Sequence, residues 1–374
     1  MVAARDTNPF RISGELPPDE MIDREREVER ILSLAAGGHS VRIVAPRRYG
    51  KTTLLRRALD EASAEGMATA LVDLEGVLSL ASIVVRIERA YDASLRGPVR
   101  RAVDALLRSW DIGLALGGGG FTARLQTTPR LDVETVLLRL LELPDKLHER
   151  SGTRSLIAFD EIQDLLRVEG ADGAIRSVIQ HQVGHAAYAF AGSAPSLMRK
   201  LFDDPSRPLL EHAVPLELGP LPLDAVADVV EERFRASGRD VGAALDPLVE
   251  ASRGHPQRTM LLAHTLWEIV PRGSIADERA WLDALARSLA QAGPVLSARW
   301  EGLPLNEQRL AMALALGRGS IYEEAVWRAV GLKRGSIDRA LASLEGRGEV
   351  IRTPAGPRLT DPLFERWLAD RGLL

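Results

Sequence analysis

The chain has 374 residues, of which 45% are hydrophobic and 27% are charged, and its formal net charge is −4. This length exceeds one typical domain, and the slightly negative balance gives the surface no general attraction for nucleic acid or acidic membranes. The absence of cysteine excludes disulfides, thiolate nucleophiles and cysteine-ligated metal sites. No apolar run reaches the roughly 18 residues that a membrane span needs, and the N-terminus lacks an apolar leader, so the expected location is the cytoplasm.

The first part of the chain alternates strand-like and helical patterns. Residues 1–20 are polar and are expected to form an arm, and the next apolar spacing predicts a helix over Met21–Ala36. Five short buried runs then predict strands at Val41–Val44, Thr69–Leu74, Ser155–Phe159, Ala187–Ala191 and Val214–Leu218. Helical patterns separate these runs, which favours a three-layer α/β domain over residues 21–220, built on a mainly parallel sheet.

The long segment between the second and third strands, residues 76–154, is expected to be a helical and hairpin insertion. Helical stretches at Ser79–Trp110 and Asp132–Arg150 flank a predicted hairpin at Asp111–Gln126. The four glycines Gly117–Gly120 do not form a second phosphate-binding loop, because no Lys-Thr pair follows and no helix begins there.

Two further domains are expected after residue 220. Four helical patterns predict a small lid domain over residues 221–293; they are Leu223–Ser237, Leu245–Arg253, Gln257–Val270 and Asp277–Ala292. Residues 294–374 add three short helices and two strand-like runs within GEVIRTPAGPRLTD; the helices are Asn306–Leu316, Ile321–Val330 and Ser336–Arg347. Three helices followed by a hairpin is the order of a winged helix.

The segment after the first strand, APRRYGKTT, matches the phosphate-loop pattern G-x-x-x-x-G-K-[ST] except that Ala45 replaces the first glycine. A methyl group is tolerable there if the backbone avoids positive φ, and Pro46 keeps Ala45 extended. Lys51 is one of only four lysines among 48 basic residues, and it is expected to reach the β- and γ-phosphates of ATP. The candidate nucleotide-binding residues of the loop are Ala45, Pro46, Arg47, Arg48, Tyr49, Gly50, Lys51, Thr52 and Thr53.

The third strand ends in two carboxylates, Asp160 and Glu161. With the Thr52 hydroxyl, Asp160 is expected to hold Mg²⁺, and Glu161 is the candidate general base that orients and activates water. By contrast, Asp73 and Glu75 are interpreted as solvated strand ends. The pair His181 and His185 lacks a third metal ligand.

Several segments together resemble the archaeal-type ATPases of the AAA+/STAND group of P-loop NTPases. These are VAPRRYGKTTLL, LIAFDEIQDL, FAGSAPSLMRKLF, GHPQRTMLLAH and the opening IDREREVERIL, and the resemblance covers residues 8–370. More distantly, the chain is similar to origin-recognition initiator ATPases with a C-terminal winged helix. The resemblance implies that Ile22 and Arg24 lie near the adenine, that Ser193 senses the γ-phosphate, and that Arg258 closes the lid over ATP. It also places Arg207 near the position of an arginine finger, although Arg207 is equally well explained as a surface charge.

The C-terminal domain carries the candidate nucleic-acid contacts Lys333, Arg334, Ser336, Arg339, Arg352 and Arg358. Six basic and three acidic residues between positions 333 and 358 make a mild electrostatic footprint. DNA contact and protein docking both remain open for this domain.

The sequence therefore predicts a Mg²⁺–ATP-dependent AAA+ ATPase with slow turnover that forms a homo-oligomer on binding ATP and has a protein partner. One hypothesis is a DNA-associated assembly switch in replication, transposition, repair or mobile-element defence. The other is a STAND-type signalling switch whose winged helix docks protein rather than DNA. A metabolic kinase is disfavoured because no substrate domain is evident.

Overall fold

The computed structural model describes residues 7–14, 16–94, 100, 132–317 and 321–372. Two compact units are present. The sheet unit comprises Arg24–Ala45 and Lys51–Leu218, and the helical unit comprises Met1–Asp23, Pro46–Gly50 and Gly219–Leu374. The predicted hairpin at Asp111–Gln126, with its four glycines, lies outside the described residues.

The sheet unit is built on five parallel strands, which confirms the predicted fold class. The strands are β1 (Val41–Val44), β2 (Ala68–Asp73), β3 (Ser155–Asp160), β4 (Ala186–Gly192) and β5 (Val214–Glu217), and their order in the sheet is β2-β3-β4-β1-β5. Every residue of β3 and β4 is buried, as expected for strands covered on both faces. Pro215 lies on the edge strand β5, where a missing backbone N–H breaks no central ladder.

In the described part of the sheet unit there are six α-helices: α1 (Glu25–Ala36), α2 (Lys51–Ala64), α3 (Leu80–Ser94), α4 (Val133–Ser151), α5 (Ala171–Ile179) and α6 (Pro195–Phe202). Inside this unit, the rings of Phe159, Tyr188 and Phe190 stack with centroid distances of 5.9–6.1 Å. These large side chains on neighbouring strands fix the middle of the sheet, because aromatic pairs add packing energy beyond their buried area.

Helix α1 begins at Glu25, so the predicted start at Met21 was wrong. Asp23 and Arg24 both have positive φ, 56° and 85°, which is incompatible with a helix. The apolar spacing continues upstream because Ile22 is buried in a different environment, the core of the helical unit.

The helical unit contains eight helices in the described part of the chain and one β-hairpin. The helices are α7 (Leu223–Ala236), α8 (Leu245–Ser252), α9 (Pro256–Ile269), α10 (Glu278–Glu301), α11 (Leu305–Leu316), α12 (Glu324–Ala329), α13 (Arg334–Gly346) and α14 (Pro362–Arg371). The antiparallel hairpin is formed by β6 (Val350–Thr353) and β7 (Gly356–Leu359). Helices α11, α12 and α13 followed by this hairpin give the element order expected of a winged helix, and α14 is an addition that the sequence analysis missed.

Helix α10 does not end at Ala292 as predicted but continues through Gly293 and Pro294 to Glu301. A proline inside a helix costs about 3 kcal/mol. Ala292 and Leu296 are buried on either side of it, and this burial offsets the cost. The predicted domain boundary at residue 293 therefore falls within a helix.

The N-terminal segment is anchored in the same core. Phe10 is buried with its ring 5.5 Å from that of Phe234, and the guanidinium of Arg233 lies over the Phe10 ring and donates to the Pro9 and Glu20 carbonyls. In the described part of the chain, none of the helices is both long and apolar enough to cross a membrane.

Candidate active site

The strand order places three functional segments at one edge of the sheet. Strand β4 lies between β1 and β3, and all three are parallel, so their carboxyl ends meet. Asp160 ends β3, Ser193 follows β4, and the loop after β1 leads to Lys51 at the start of α2. In open α/β sheets this edge is where ligands bind.

Thr52 and Asp160 form a close pair of oxygen ligands, with the Thr52 hydroxyl donating to Asp160 Oδ2 at 2.5 Å. Burial raises the pKa of Asp160, although the Thr52 hydrogen bond and the charge of Lys51 oppose that rise. A buried carboxylate beside a hydroxyl is a donor set that suits a hard cation such as Mg²⁺, which prefers oxygen ligands and retains several waters. The residues present therefore fit the ion that the sequence predicts.

Lys51 is buried, with 5% of its side chain exposed. Its ammonium donates to the Ala45 carbonyl at 3.3 Å and lies 3.9 Å from Glu161 Oε1. Ala45 thus contacts Lys51 through its backbone carbonyl, so this contact does not depend on its side chain. The φ of Ala45 is not in the left-handed region, whereas Gly50 has φ 83°. The second glycine of the loop is conformationally required and the first is not.

Glu161 lies just after β3 with φ 50°, in the left-handed region. Its Oε2 accepts three hydrogen bonds: from Ser193 Oγ at 2.6 Å, from the Ser193 backbone N–H at 3.3 Å, and from Gln163 Nε2 at 2.5 Å. Burial by itself would raise the pKa of Glu161, but the hydrogen bond from Ser193, the charge of Lys51 and the amide of Gln163 outweigh it, so the pKa is lowered. These contacts favour the ionised carboxylate and fix its orientation.

In the helical unit, Arg258 forms a buried ion pair with Asp361, the N-cap residue of α14. Arg258 Nε and Nη2 donate to the two carboxylate oxygens at 2.9 and 2.6 Å, and Arg299 Nη1 adds a third bond at 3.0 Å. Burial opposes ionisation of Asp361, yet the hydrogen bonds and charge of Arg258 dominate and hold its pKa well below the usual range. Arg258, which the resemblance assigned to closing the lid over ATP, is therefore bound to the carboxylate of Asp361.

The tip of the phosphate loop belongs to the same unit. Tyr49 is buried, its ring meets that of His255 edge-on at 4.9 Å, and its hydroxyl donates to the Thr360 carbonyl at 3.5 Å. Arg47 and Arg48 are exposed, and Arg48 has φ 67°. Tyr49 is thus a packing residue of the helical unit.

The remaining predicted site residues are placed as follows. Ile22 and Pro46 are buried, and so is Thr53, on α2. Arg24 is buried and bonds to Glu27 at 2.8 Å, while Arg207 forms an ion pair with the buried Asp172 at 3.2 Å.

The C-terminal basic residues divide into two groups. Arg352 and Arg358 form ion pairs with Glu345 and Glu365 at 2.7 and 3.6 Å. Among the described residues, no carboxylate pairs with the exposed Lys333, Arg334 or Arg339, which lie at the start and along one side of α13; Ser336 is half-buried.

No other metal site emerges from the part of the chain that the structure describes, because no three histidine or carboxylate side chains there converge. His185 instead bonds to Asp145 at 3.0 Å and stacks on His148.

Gln163 and Asp361 are the two residues that the sequence analysis did not single out. Asp361 carried a usable signal, since an Asp-Pro pair before the helical pattern PLFERWL is typical of an N-cap. Gln163 carried none beyond its place two residues after Glu161.

Comparisons with known proteins complement this geometry. No family model and no curated protein matches the sequence. Among solved structures, the Walker-type ATPase PABY2304 of Pyrococcus abyssi superposes with a TM-score of 0.70 over 96% of this chain and 99% of its own, at 18% identity. This chain has the fold of that Walker-type ATPase. The Orc2 protein of Aeropyrum pernix, in its ADPNP–ADP complexes, superposes with a TM-score of 0.60 over 99% and 98% of the two chains, at 17% identity. Both likenesses confirm the fold class over nearly the whole length.

Proposed function

We propose that the chain is an AAA+ ATPase that binds Mg²⁺–ATP and hydrolyses it. The observation that carries this proposal is the convergence of Lys51, Thr52, Asp160, Glu161 and Ser193 at the carboxyl edge of the sheet. The P. abyssi neighbour is a Walker-type ATPase and the A. pernix neighbour was solved with ADPNP and ADP, which supports the same substrate class.

Each residue has a distinct role in the proposed reaction. Lys51 balances the β- and γ-phosphate charge, and Thr52 and Asp160 hold Mg²⁺, which neutralises charge on the phosphates when bound. Glu161 orients a water molecule and accepts its proton as the water oxygen bonds to the γ-phosphorus. The bond from that phosphorus to the β–γ bridging oxygen breaks, and the electron pair leaves with ADP. Ser193 keeps Glu161 in place, and its hydroxyl is the candidate sensor of the γ-phosphate.

Lys51→Ala is expected to abolish ATP binding and with it turnover, because no other lysine lies in the loop and arginine does not reproduce a compact ammonium. Isothermal titration with ATP and a phosphate-release assay would measure both effects. Lys146→Ala serves as the matched control and should retain wild-type values, because this exposed lysine pairs with Glu149 at 3.0 Å, away from the loop. Equal binding and turnover in wild type and Lys51→Ala would refute the proposal.

We further infer that ATP binding at a subunit interface favours an assembled state, and that the C-terminal segment contacts DNA. Lys333, Arg334 and Arg339 support the DNA assignment because their charges are exposed and unneutralised by described carboxylates. The buried Arg258–Asp361 pair favours the alternative, a STAND-type signalling switch. In this pair the C-terminal segment makes a contact within the chain, as expected if the segment serves as an intramolecular clamp.

Removing Arg334 and Arg339 together is expected to weaken DNA binding and to reduce the slope of log K against log salt by about 2, one counterion per lost phosphate contact. Fluorescence anisotropy with duplex DNA, at several salt concentrations and with or without ATP, measures this slope. Arg287→Ala, an exposed arginine paired with Asp283, is the control. Absence of wild-type binding even at low salt would select the signalling switch.

A further inference from the structure

Gln163 lies in the 3₁₀ turn Ile162–Arg167, two residues after Glu161, and only 5% of it is exposed. Its side-chain nitrogen donates to Glu161 Oε2 at 2.5 Å, the shortest of the three hydrogen bonds to that oxygen. Three donors saturate a carboxylate oxygen, which offers about two lone pairs. Glu161 Oε1, by contrast, accepts no hydrogen bond from a described residue, and its charged neighbour is the Lys51 ammonium at 3.9 Å.

The buried Gln163 amide lowers the stability of the fold at one of its two ends. The other end of the Gln163 amide, Oε1, is buried and has no hydrogen-bond partner among the described residues. A buried unsatisfied carbonyl is destabilising, and a methionine of similar length would occupy the same space without that penalty.

Strand β4 ends in a glycine, Gly192, next to this amide. A Cβ on Gly192 would overlap Gln163 Oε1 and the Sδ of Met198. The φ of Gly192 is not in the left-handed region, so the backbone there does not require a glycine, and the missing Cβ matters through the space it leaves for these two side chains. Gly192 therefore leaves room for both the Gln163 amide and the Met198 thioether beside Glu161.

We propose that Gln163 is a positioning residue: with Ser193 it holds Glu161 Oε2, so that Oε1 is the oxygen left to accept a hydrogen bond from the attacking water. This inference rests on the proposed ATP hydrolysis. Gln163 touches neither substrate nor water in this role and acts through Glu161 alone.

The test is Gln163→Met, which removes the donor and keeps the volume. We expect kcat for ATP to fall about tenfold with KM changed less than twofold, because orientation of the base affects the transition state and not ATP binding. The melting temperature is expected to stay the same or rise, because the unsatisfied carbonyl is gone. Gln182→Met is the matched control: Gln182 is fully buried and bonds to the Leu141 carbonyl and to Tyr188, remote from Glu161, so its loss should lower stability and leave kcat unchanged.

Two further variants make the result specific. Gly192→Ala would press a methyl group against both Gln163 Oε1 and Met198 Sδ. We expect the shift of the amide to lower kcat at constant KM, and Met198→Ala is the control for displacement of the thioether. In the Glu161→Gln background, Gln163→Met should have no additional effect on residual turnover, because the group it positions has been replaced.

Wild-type kcat in Gln163→Met, or the same tenfold loss in the Glu161→Gln background, would overturn the positioning role while the ATPase assignment stands. If wild type shows no turnover that depends on Lys51, the proposed function fails, and the positioning role falls with it.

Discussion

Glu161→Gln is expected to lower the turnover of ATP by about 10²–10⁴-fold while ATP affinity stays close to that of wild type. The substitution keeps the size of the side chain and its contact with Ser193, but an amide cannot accept the proton of the attacking water, and general-base catalysis is worth that factor. Lys51, Thr52 and Asp160, to which the proposed function assigns ATP and Mg²⁺ binding, are unchanged in this variant. Phosphate release under saturating ATP, together with calorimetric titration, separates the two quantities.

A suitable control is Glu211→Gln. Glu211 also has a positive φ, 51°, but it is exposed and lies outside the site, so the change should leave turnover intact. A loss of less than threefold in Glu161→Gln would show that another group activates water.

Light scattering on Glu161→Gln with ATP tests the inferred homo-oligomer, since this variant keeps ATP uncleaved. A monomer with both ATP and ADP would remove the oligomer and the arginine finger assigned to Arg207.

Asp361→Asn is expected to reduce the free energy of unfolding by about 3–5 kcal/mol at pH 7, the usual consequence of leaving one member of a buried ion pair uncompensated. Arg258 is 2% exposed and would keep its charge, and Arg299 would lose the same carboxylate. Urea unfolding followed by tryptophan fluorescence measures the loss. Five of the six tryptophans fall within the helical unit, so the signal reports mainly on it.

The difference between wild type and Asp361→Asn is also expected to depend on pH. Because the pKa of Asp361 is lower in the folded protein than the value of about 3.9 of an unfolded chain, the ion pair contributes fully above roughly pH 5. That contribution is lost as the pH falls through about 4 toward the folded pKa, so wild type and variant should converge in acid.

Asp277→Asn provides the control for the Asp361 prediction. Asp277 is an exposed N-cap that accepts from Ala280 N at 2.8 Å without a buried arginine, and asparagine caps helices equally well. Stability should therefore change by less than about 0.5 kcal/mol. An equal loss at pH 3 and pH 7 in Asp361→Asn would contradict the ion-pair explanation.

The parts of this molecule that the sequence predicted are those encoded locally. Short segments encode the strand runs, the triplet Gly50-Lys51-Thr52 and the carboxylates at the end of β3. The parallel topology then brings Lys51, Thr52 and these carboxylates to one edge of the sheet. The Arg258–Asp361 pair joins residues 103 positions apart. Nothing in either segment specifies that pairing, because it depends on how the helices pack.

The same distinction explains the two largest errors in helix boundaries. Gly293 and Pro294 are strong local stop signals, and buried residues on both sides of them override those signals. At the start of α1, the apolar spacing was real but mixed two environments, since Ile22 belongs to the core of the helical unit and Val28 to the sheet unit. Apolar spacing in a sequence predicts that a residue is buried, but it does not predict in which core the residue is buried.

The continuity of α10 across residues 293 and 294 limits how such a chain can evolve. A recombination event at the apparent boundary would cut a 24-residue helix about two thirds of the way along its length. It would also strip Arg258 of its carboxylate unless the incoming segment supplied an acid where Asp361 stands. Exchange of the C-terminal segment is therefore constrained at the start of α14, where Asp361 must be retained to pair with Arg258. The exposed basic residues Lys333, Arg334 and Arg339 form no ion pair with a described carboxylate and can vary without breaking such a contact.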